Sequence, residues 1–325
     1  MNGLTVSIVK LRNAVDSLPM KILVTGGAGF IGSHLVDRLV EDRMGDVCVL
    51  DNFSRGRMEH LAQSQGAIRV VDGDIRDRNL LGELMCGVNL VYHLAAQSNV
   101  LGAVRDLDYS FESNVAGTYE VLRAAAAAGV SRAIFSSSRE VYGEPASLPV
   151  RETAPIAPKN AYGISKAAAE LYCPLFADAG LNTVIFRLAN VYGPRDSGRV
   201  IPLFIEQALA GEPLTVFGSG KVLDFLWIGD LIDVLCRAAG CECPDGAVNL
   251  GSGKGTNLVD LARRISSLTG SRSEVSIREE RQPEVGRYVA DVALARRLYR
   301  LRCPDDPIEH VAPMVESMAR ETPAK

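Results

Sequence analysis

Lys21-Ile22-Leu23-Val24-Thr25-Gly26-Gly27-Ala28-Gly29-Phe30-Ile31-Gly32 runs from an apolar stretch straight into a glycine turn and out into a helical pattern. Residues 22–24 read as a buried strand and residues 31–41 as an amphipathic helix. Gly26, Gly29 and Gly32 stand three apart. Small residues at that spacing allow a tight turn, close approach of a pyrophosphate, and close helix–strand packing. The N–H groups and positive dipole end of the helix then face the phosphates. The same turn also serves where no ligand binds, so its surroundings decide.

Those surroundings repeat the pattern. Further apolar runs at 47–50, 68–71, 90–93, 133–136 and 183–186 read as buried strands, and 111–128 and 161–179 as helices. Such alternation predicts right-handed crossovers and a parallel sheet covered on both faces. After Gly193-Pro194 the pattern changes. A helix is expected over 200–210, an extended piece at 214–217, a strand over 223–228, and helices over 230–239, 257–268 and 292–299. The fold class is therefore α/β: a Rossmann-type doubly wound parallel sheet with a smaller C-terminal α/β domain. Residues 1–19 read as an extension, 20–190 as the larger domain (with a strand and helix near 223–239 returning to it), 191–325 as the smaller one, and 321–325 as a frayed end.

Composition narrows the class. The chain has 325 residues, more than the roughly 250–300 that one core supports. Its net charge is −4 and it has no long basic run, which argues against nucleic acid as a partner. No apolar stretch approaches the roughly 20 residues of a membrane span, and 4–9 is too short for a secretory leader. Seven scattered cysteines do not suggest a disulfide framework. Cys241 and Cys243 lack a second pair at zinc-like spacing, so no metal is expected. A cytoplasmic protein is the consistent reading.

Asp51 closes the second strand about 20 residues beyond the glycines, where a carboxylate binds a ribose diol and repels a 2′-phosphate. This favours NAD over NADP, although Arg55 and Arg57 lie close by. Asp74 follows the third strand and can reach an adenine amino group or simply cap a loop. Tyr162 and Lys166 are four apart near a helix start, hence on one face. A phenol is a poor base at neutral pH, and a nearby ammonium together with a cationic nicotinamide would favour its phenolate. Ser136-Ser137-Ser138, at a strand end, can supply a hydroxyl partner.

The ordered set of Gly26–Gly32, Asp51-Asn52, Gly73-Asp74, His93-Leu94-Ala95-Ala96, Asn114, Ser136–Ser138, Tyr162/Lys166 and Arg187–Pro194 resembles the extended short-chain dehydrogenase/reductase family, in its nucleotide-sugar epimerase/dehydratase branch. The resemblance spans about residues 20–300. It implies an NAD-dependent 4-epimerase acting on a UDP-hexose or UDP-hexuronate through a 4-keto sugar. Tyr162 would be the base, Lys166 would hold the nicotinamide ribose, and Ser138 would bind the sugar oxygen. The cofactor set it implies is Gly26, Gly29, Phe30, Ile31, Gly32, Asp51, Asn52, Asp74, Ile75, Leu94, Ala95, Ala96, Asn114, Ser136, Tyr162 and Lys166. Substrate contacts would come from Ser98, Ser137, Arg139, Asn190, Val200, Phe217 and Arg281, and a homodimer would form through the helices of 111–128 and 161–179. For Phe217 and Arg281 the bland alternatives are core packing and a solvated charge.

Two departures from the family pattern matter. Leu223 stands where many members carry a phosphate-binding arginine, and the loop after Gly220 is shorter, so Arg281 or Arg195 would have to compensate. Arg139 and Glu140 follow Ser138. Glu140 occupies an acid/base position of dehydratases and decarboxylases, whereas Arg139 cannot donate a proton usefully, which argues against 4,6-dehydration. Arg139 can bind a C6 carboxylate in bidentate fashion, which keeps UDP-glucuronate decarboxylation open; otherwise it points to solvent and Glu140 caps the turn. A non-catalytic NAD-binding protein on the same fold is the remaining alternative.

Overall fold

Strands buried on both faces need apolar residues at every position, and the first half of the chain supplies them in sequence. The computed structural model describes residues 19–279 and 283–321. Its elements begin with β1 (Lys21–Thr25), α1 (Phe30–Glu41), β2 (Asp46–Asp51), β3 (Ile68–Asp72), α2 (Arg78–Leu84) and β4 (Leu90–His93). Two short helices, α3 (Val100–Arg105) and α4 (Leu107–Phe111), lead through one wide π-type turn at Glu112–Ala116 into α5 (Gly117–Ala127). Then come β5 (Arg132–Ser138), α6 (Ala161–Tyr172) and β6 (Asn182–Leu188).

The second half runs β7 (Asn190–Tyr192), α7 (Val200–Ala210), β8 (Leu214–Phe217), β9 (Val222–Trp227), α8 (Ile228–Ala238) and β10 (Ala247–Leu250). It ends with β11 (Gly255–Asn257), α9 (Leu258–Leu268), β12 (Val275–Arg278), β13 (Arg287–Tyr288), α10 (Ala293–Tyr299) and α11 (Val311–Glu321).

Seven parallel strands form the main sheet in the order β10-β6-β5-β4-β1-β2-β3. One face is covered by α1, α8 and α10 through buried residues such as Leu35, Leu39, Leu231 and Tyr299. The other is covered by α2, α5 and α6 through Leu81, Val121, Leu122 and Ala169. Each fully buried Leu or Val stabilises the fold by roughly 1.5–3 kcal/mol. The smaller lobe has its own core, with Phe204, Ile205, Phe225, Leu261 and Ile265 between α7, α9, α11 and two small sheets. The expected fold class is the one observed.

The strand read at 223–228 does form, but as β9 it pairs with β7, β11 and β13 in the smaller lobe. The strand that returns to the main sheet is β10, beside β6. Periodicity shows that a segment is extended and cannot name its partner. The expected returning helix is α8, which packs on the same face as α1. Residues 1–18 and 322–325, covering nearly all of the expected extension and frayed end, lie outside the described residues.

Strand order reverses around β1, with β4 on one side and β2 on the other, which opens a crevice at the carboxyl ends of the strands.

Candidate active site

A cleft of about 1250 Å³ occupies that crevice and continues between the two lobes. Its floor is the glycine turn. Gly26 has φ +72°, and a side chain there would meet the Ala95 backbone nitrogen at 2.7 Å. A Cβ on Gly32 would lie 2.2 Å from the Gly26 carbonyl oxygen, so helix and turn are in contact. No side chain caps the start of α1, so its first-turn N–H groups remain available to an anion. By contrast α2, α3, α6 and α9 are capped by Asp77, Asn99, Asn160 and Asn257.

Asp51 accepts the backbone N–H groups of Ala28 and Phe53, both at 2.9 Å. Burial raises its carboxyl, opposed by those two hydrogen bonds. Asn52 donates to Asp74 at 3.0 Å. Hydrogen bonds from Arg76 are the largest cause that brings Asp74 down to about 2, so this carboxylate is fixed as an anion. Gly29, Phe30, Ile31, Ile75, Leu94, Ala95, Ala96 and Ser136 also line the cleft. An uncapped helix start, a glycine floor and a buried diol-binding carboxylate together fit an adenine dinucleotide.

Asn114 is different. Its Oδ1 accepts the Gln97 N–H at 2.8 Å, and its Nδ2 donates to Gln97 O at 3.0 Å and Ser165 Oγ at 2.9 Å. All of this happens away from the cleft wall. The π-type turn carries Asn114 inward, where its side chain braces the loop after β4 from behind the cleft lining. His93 is likewise internal, between Thr25 at 2.7 Å and Thr118 at 2.9 Å, and burial brings it down to about 3, so it stays neutral.

Ser138, Tyr162 and Lys166 converge on the middle of the cleft. Ser138 is the neighbour that most favours the ionised form of the Tyr162 phenol. Burial raises the phenol above its ordinary value, while Ser138 and the charges of Arg199 and Arg139 lower it and Glu140 raises it. Lys166 is 2% exposed. Its ammonium donates to Ser136 O at 2.8 Å and sits 4.8 Å from the Phe135 ring centre. Burial lowers it to about 8, with the Glu170 charge opposing. Ser138 and two arginines thus favour the phenolate, while burial and the Glu140 charge oppose it.

Arg139 does not point to solvent. Its side chain is 10% exposed and lies 2.9 Å from Glu140, with its guanidinium 5.7 Å from the Tyr288 ring centre. Its Nη2 lies 3.5 Å from Asn190 Oδ1, and its Nη1 is buried with no hydrogen-bond partner. Glu140 also accepts Asn160 Nδ2 at 2.7 Å. Ser137 borders the cleft, but its hydroxyl is turned away, donating to Glu170, which Arg187 grips at 2.7–3.1 Å. This corrects the expected substrate contact for Ser137, because alternation along β5 puts its side chain opposite those of Ser136 and Ser138. Ser98, Asn190, Val200 and Phe217 all lie on the cleft wall. Ser98 accepts Arg55 Nη1 at 3.2 Å, and Asn190 donates to Asp224 O at 3.1 Å. Arg281 lies outside the described residues. Arg195, the other candidate replacement, is paired to Asp37 at 2.7 Å.

Arg199, Lys221 and Met314 are among the wall residues that sequence reading missed. Arg199 precedes α7 and pairs with Asp196 at 2.7 Å. Lys221 is buried against Glu284. Met314 comes from α11. Only the last had a usable signal, the spacing Val311, Met314, Val315, Met318 of one helix face. Among the described residues no group of three or more His, Cys, Asp or Glu could hold a metal ion, and no helix is long and apolar enough to cross a membrane.

The profile of the NAD dependent epimerase/dehydratase family matches residues 22–251, and the chain belongs to that family. It is an NAD-dependent enzyme of the epimerase/dehydratase type. It is 35% identical over 289 residues to the UDP-glucose 4-epimerase of Mycolicibacterium smegmatis, covering 86% of this chain and 92% of that protein. It is 34% identical over 288 residues to UDP-glucuronic acid decarboxylase 1 of Xenopus tropicalis, covering 86% of this chain and 67% of that one. The structure of the UDP-glucose 4-epimerase from Thermotoga maritima, determined with UDP-glucose, matches with a TM-score of 0.87 at 32% identity, covering 93% of this chain and 99% of that one.

Proposed function

We propose that the protein is a nucleotide-sugar 4-epimerase acting on a UDP-hexose or UDP-hexuronate, with the cofactor against the main sheet and the sugar nucleotide against the smaller lobe. The observation that carries the reading is the Ser138–Tyr162 hydroxyl pair in the cleft, with the Lys166 ammonium buried one helical turn from the tyrosine. NAD, held by the glycine turn and Asp51, would supply the hydride acceptor and donor for C4. Tyr162 as phenolate takes the proton of the C4 hydroxyl and afterwards gives it back, while Ser138 holds the same oxygen. The resulting 4-keto sugar turns over before it is reduced on the other face, which inverts C4.

The unpartnered Nη1 of Arg139 favours a substrate with a C6 carboxylate. Decarboxylation of a 4-keto uronate moves negative charge out of that carboxylate. A guanidinium bound to it stabilises the ground state and slows the loss of CO₂, so the same contact favours epimerisation over decarboxylation. Incubation with UDP-glucose, UDP-N-acetylglucosamine and UDP-glucuronate, read by mass and NMR, tests this. Products of unchanged mass with inverted C4 are expected; release of CO₂ or water overturns the reading. Arg139→Leu should lower kcat/KM for the uronate about 10- to 100-fold and affect UDP-glucose far less.

The functional unit is a homodimer working in the cytoplasm, where the seven unpaired cysteines stay reduced. Its interface is supported by Phe111, Ile164, Leu171 and Leu175, large apolar side chains left 56–71% exposed on α4, α6 and the turn after α6. Sedimentation should give a dimer mass that Leu171→Glu reduces to a monomer. A monomeric parent protein would exclude that interface.

A further inference from the structure

Asn160 belongs neither to the Tyr162/Lys166 pair nor to the serine run, yet it touches the elements that carry both. It is 4% exposed. Its Oδ1 accepts the Gly163 N–H at 2.8 Å and so caps α6 directly beneath Tyr162. Its Nδ2 donates to Glu140 at 2.7 Å and to the Pro283 carbonyl at 3.3 Å. Glu140 in turn gives its backbone N–H to Ser138 Oγ at 3.2 Å, and the Ser138 hydroxyl acts on the Tyr162 phenol across the cleft. The links close a ring. There is little slack in it, because a Cβ on Gly163 would lie 2.4 Å from the Glu140 carbonyl oxygen.

We propose that Asn160 is a positioning residue that sets the separation of the Ser138 and Tyr162 hydroxyls. Its oxygen fixes the helix under the tyrosine, and its nitrogen holds the Glu140 turn behind the serine. The bond to Pro283 ties the same amide to the segment that brings Glu284 and Val285 to the cleft wall. The assignment rests on the proton-transfer role given to Tyr162.

A purely structural cap and a positioning residue predict different behaviour. Serine and aspartate also cap helices, but a carboxylate has no donor for Glu140 and the single short hydroxyl of serine cannot serve both the cap and Glu140 as the amide does. The groups acting on the Tyr162 hydroxyl are Ser138 on β5, Arg139 and Glu140 just after it, and Arg199 before α7, with Lys166 one turn along α6. Ser138 supplies the largest of the lowering influences against burial. A slackened Ser138 therefore moves phenol ionisation, and with it the acid limb of activity, to higher pH.

The experiment compares Asn160→Ser, Asn160→Asp and Asn160→Ala holoenzymes with the parent. Asn160→Ser should melt close to the parent and keep its KM. Its kcat at neutral pH should fall about 10- to 100-fold, with part of the loss regained at alkaline pH. Asn160→Asp should fall further, since its carboxylate faces Glu140. A parental kcat and pH profile in Asn160→Ser overturns the proposal. So does a loss that is equal at every pH and follows the melting temperature through Asn160→Ala. Phenolate absorbance, taken as the difference from Tyr162→Phe, reads the same ionisation without turnover, so an error in the assigned reaction leaves this measurement standing.

Discussion

Replacing Tyr162 with phenylalanine should lower kcat about 10²–10⁴-fold, the range spanned by a lost general base, and leave KM, melting temperature and bound NAD close to the parent values. The ring remains to fill the same space, and only the hydroxyl that Ser138 influences disappears. The pH dependence has a definite sign. Burial holds the phenol above its ordinary value, so the parent enzyme gains activity as rising pH helps the proton leave. Tyr162→Phe should lose that acid limb and show a low rate that is flat with pH. Steady-state kinetics across pH check both points. A variant that keeps most of its activity would remove the tyrosine from the chemistry.

Lys166→Met should cost about 10²–10³-fold in kcat, comparable to removing one preorganised donor from a water-excluded site. Methionine matches the stem in length and loses the donor to Ser136 O and the cation over Phe135. Burial brings the lysine from 10.5 to about 8, so the ammonium present below that pH is lost above it. The parent enzyme should decline on the alkaline side as pH passes through about 8, and Lys166→Met should show no such limb. Stability moves the other way. Between about 8 and 10.5 the unfolded chain holds the proton that the folded one has released, so this group's contribution to stability rises with pH across that window. Below it, both states are protonated and the buried charge is a constant penalty. Lys166→Met should therefore melt higher than the parent near neutral pH, with the gap closing towards pH 10. A gap that does not depend on pH would contradict the lowered ammonium.

The glycine loop, six of the seven strands of the main sheet and the motif-borne site residues are legible in the sequence because each follows from a local rule. Partners such as Val24 and Val49 across β1 and β2 are apolar since both faces of the sheet are covered. β10 escapes that rule. It is four residues long and carries Asn249, whose side chain is satisfied by Tyr142 and the Val150 carbonyl, so a polar residue sits where a strand reading wants an apolar one. β11 and β13 have three and two residues, too few to show a period. The wide turn at Glu112–Ala116 is invisible inside a helix pattern that remains amphipathic on either side.

The same division runs through the site. Tyr162, Lys166, Asp51 and the glycines announce themselves by spacing. The burial of Arg139, the ring through Asn160 and the turning of Ser137 towards Glu170 all depend on which elements meet in space. Asn114 shows what a motif leaves out: its partners Gln97 and Ser165 come from two other segments and have no signature in its own stretch.

The late return of β10 to the main sheet limits how the enzyme can move. The chain passes from one lobe to the other at Ala189, again where β9 runs into α8, and again after Leu250. A hinge works when a few residues absorb the whole rotation. Here several tethers, anchored in sheet strands and a packed helix, would have to flex in concert. Admission and release of a sugar nucleotide should then draw more on the rim loops than on rotation of one lobe against the other.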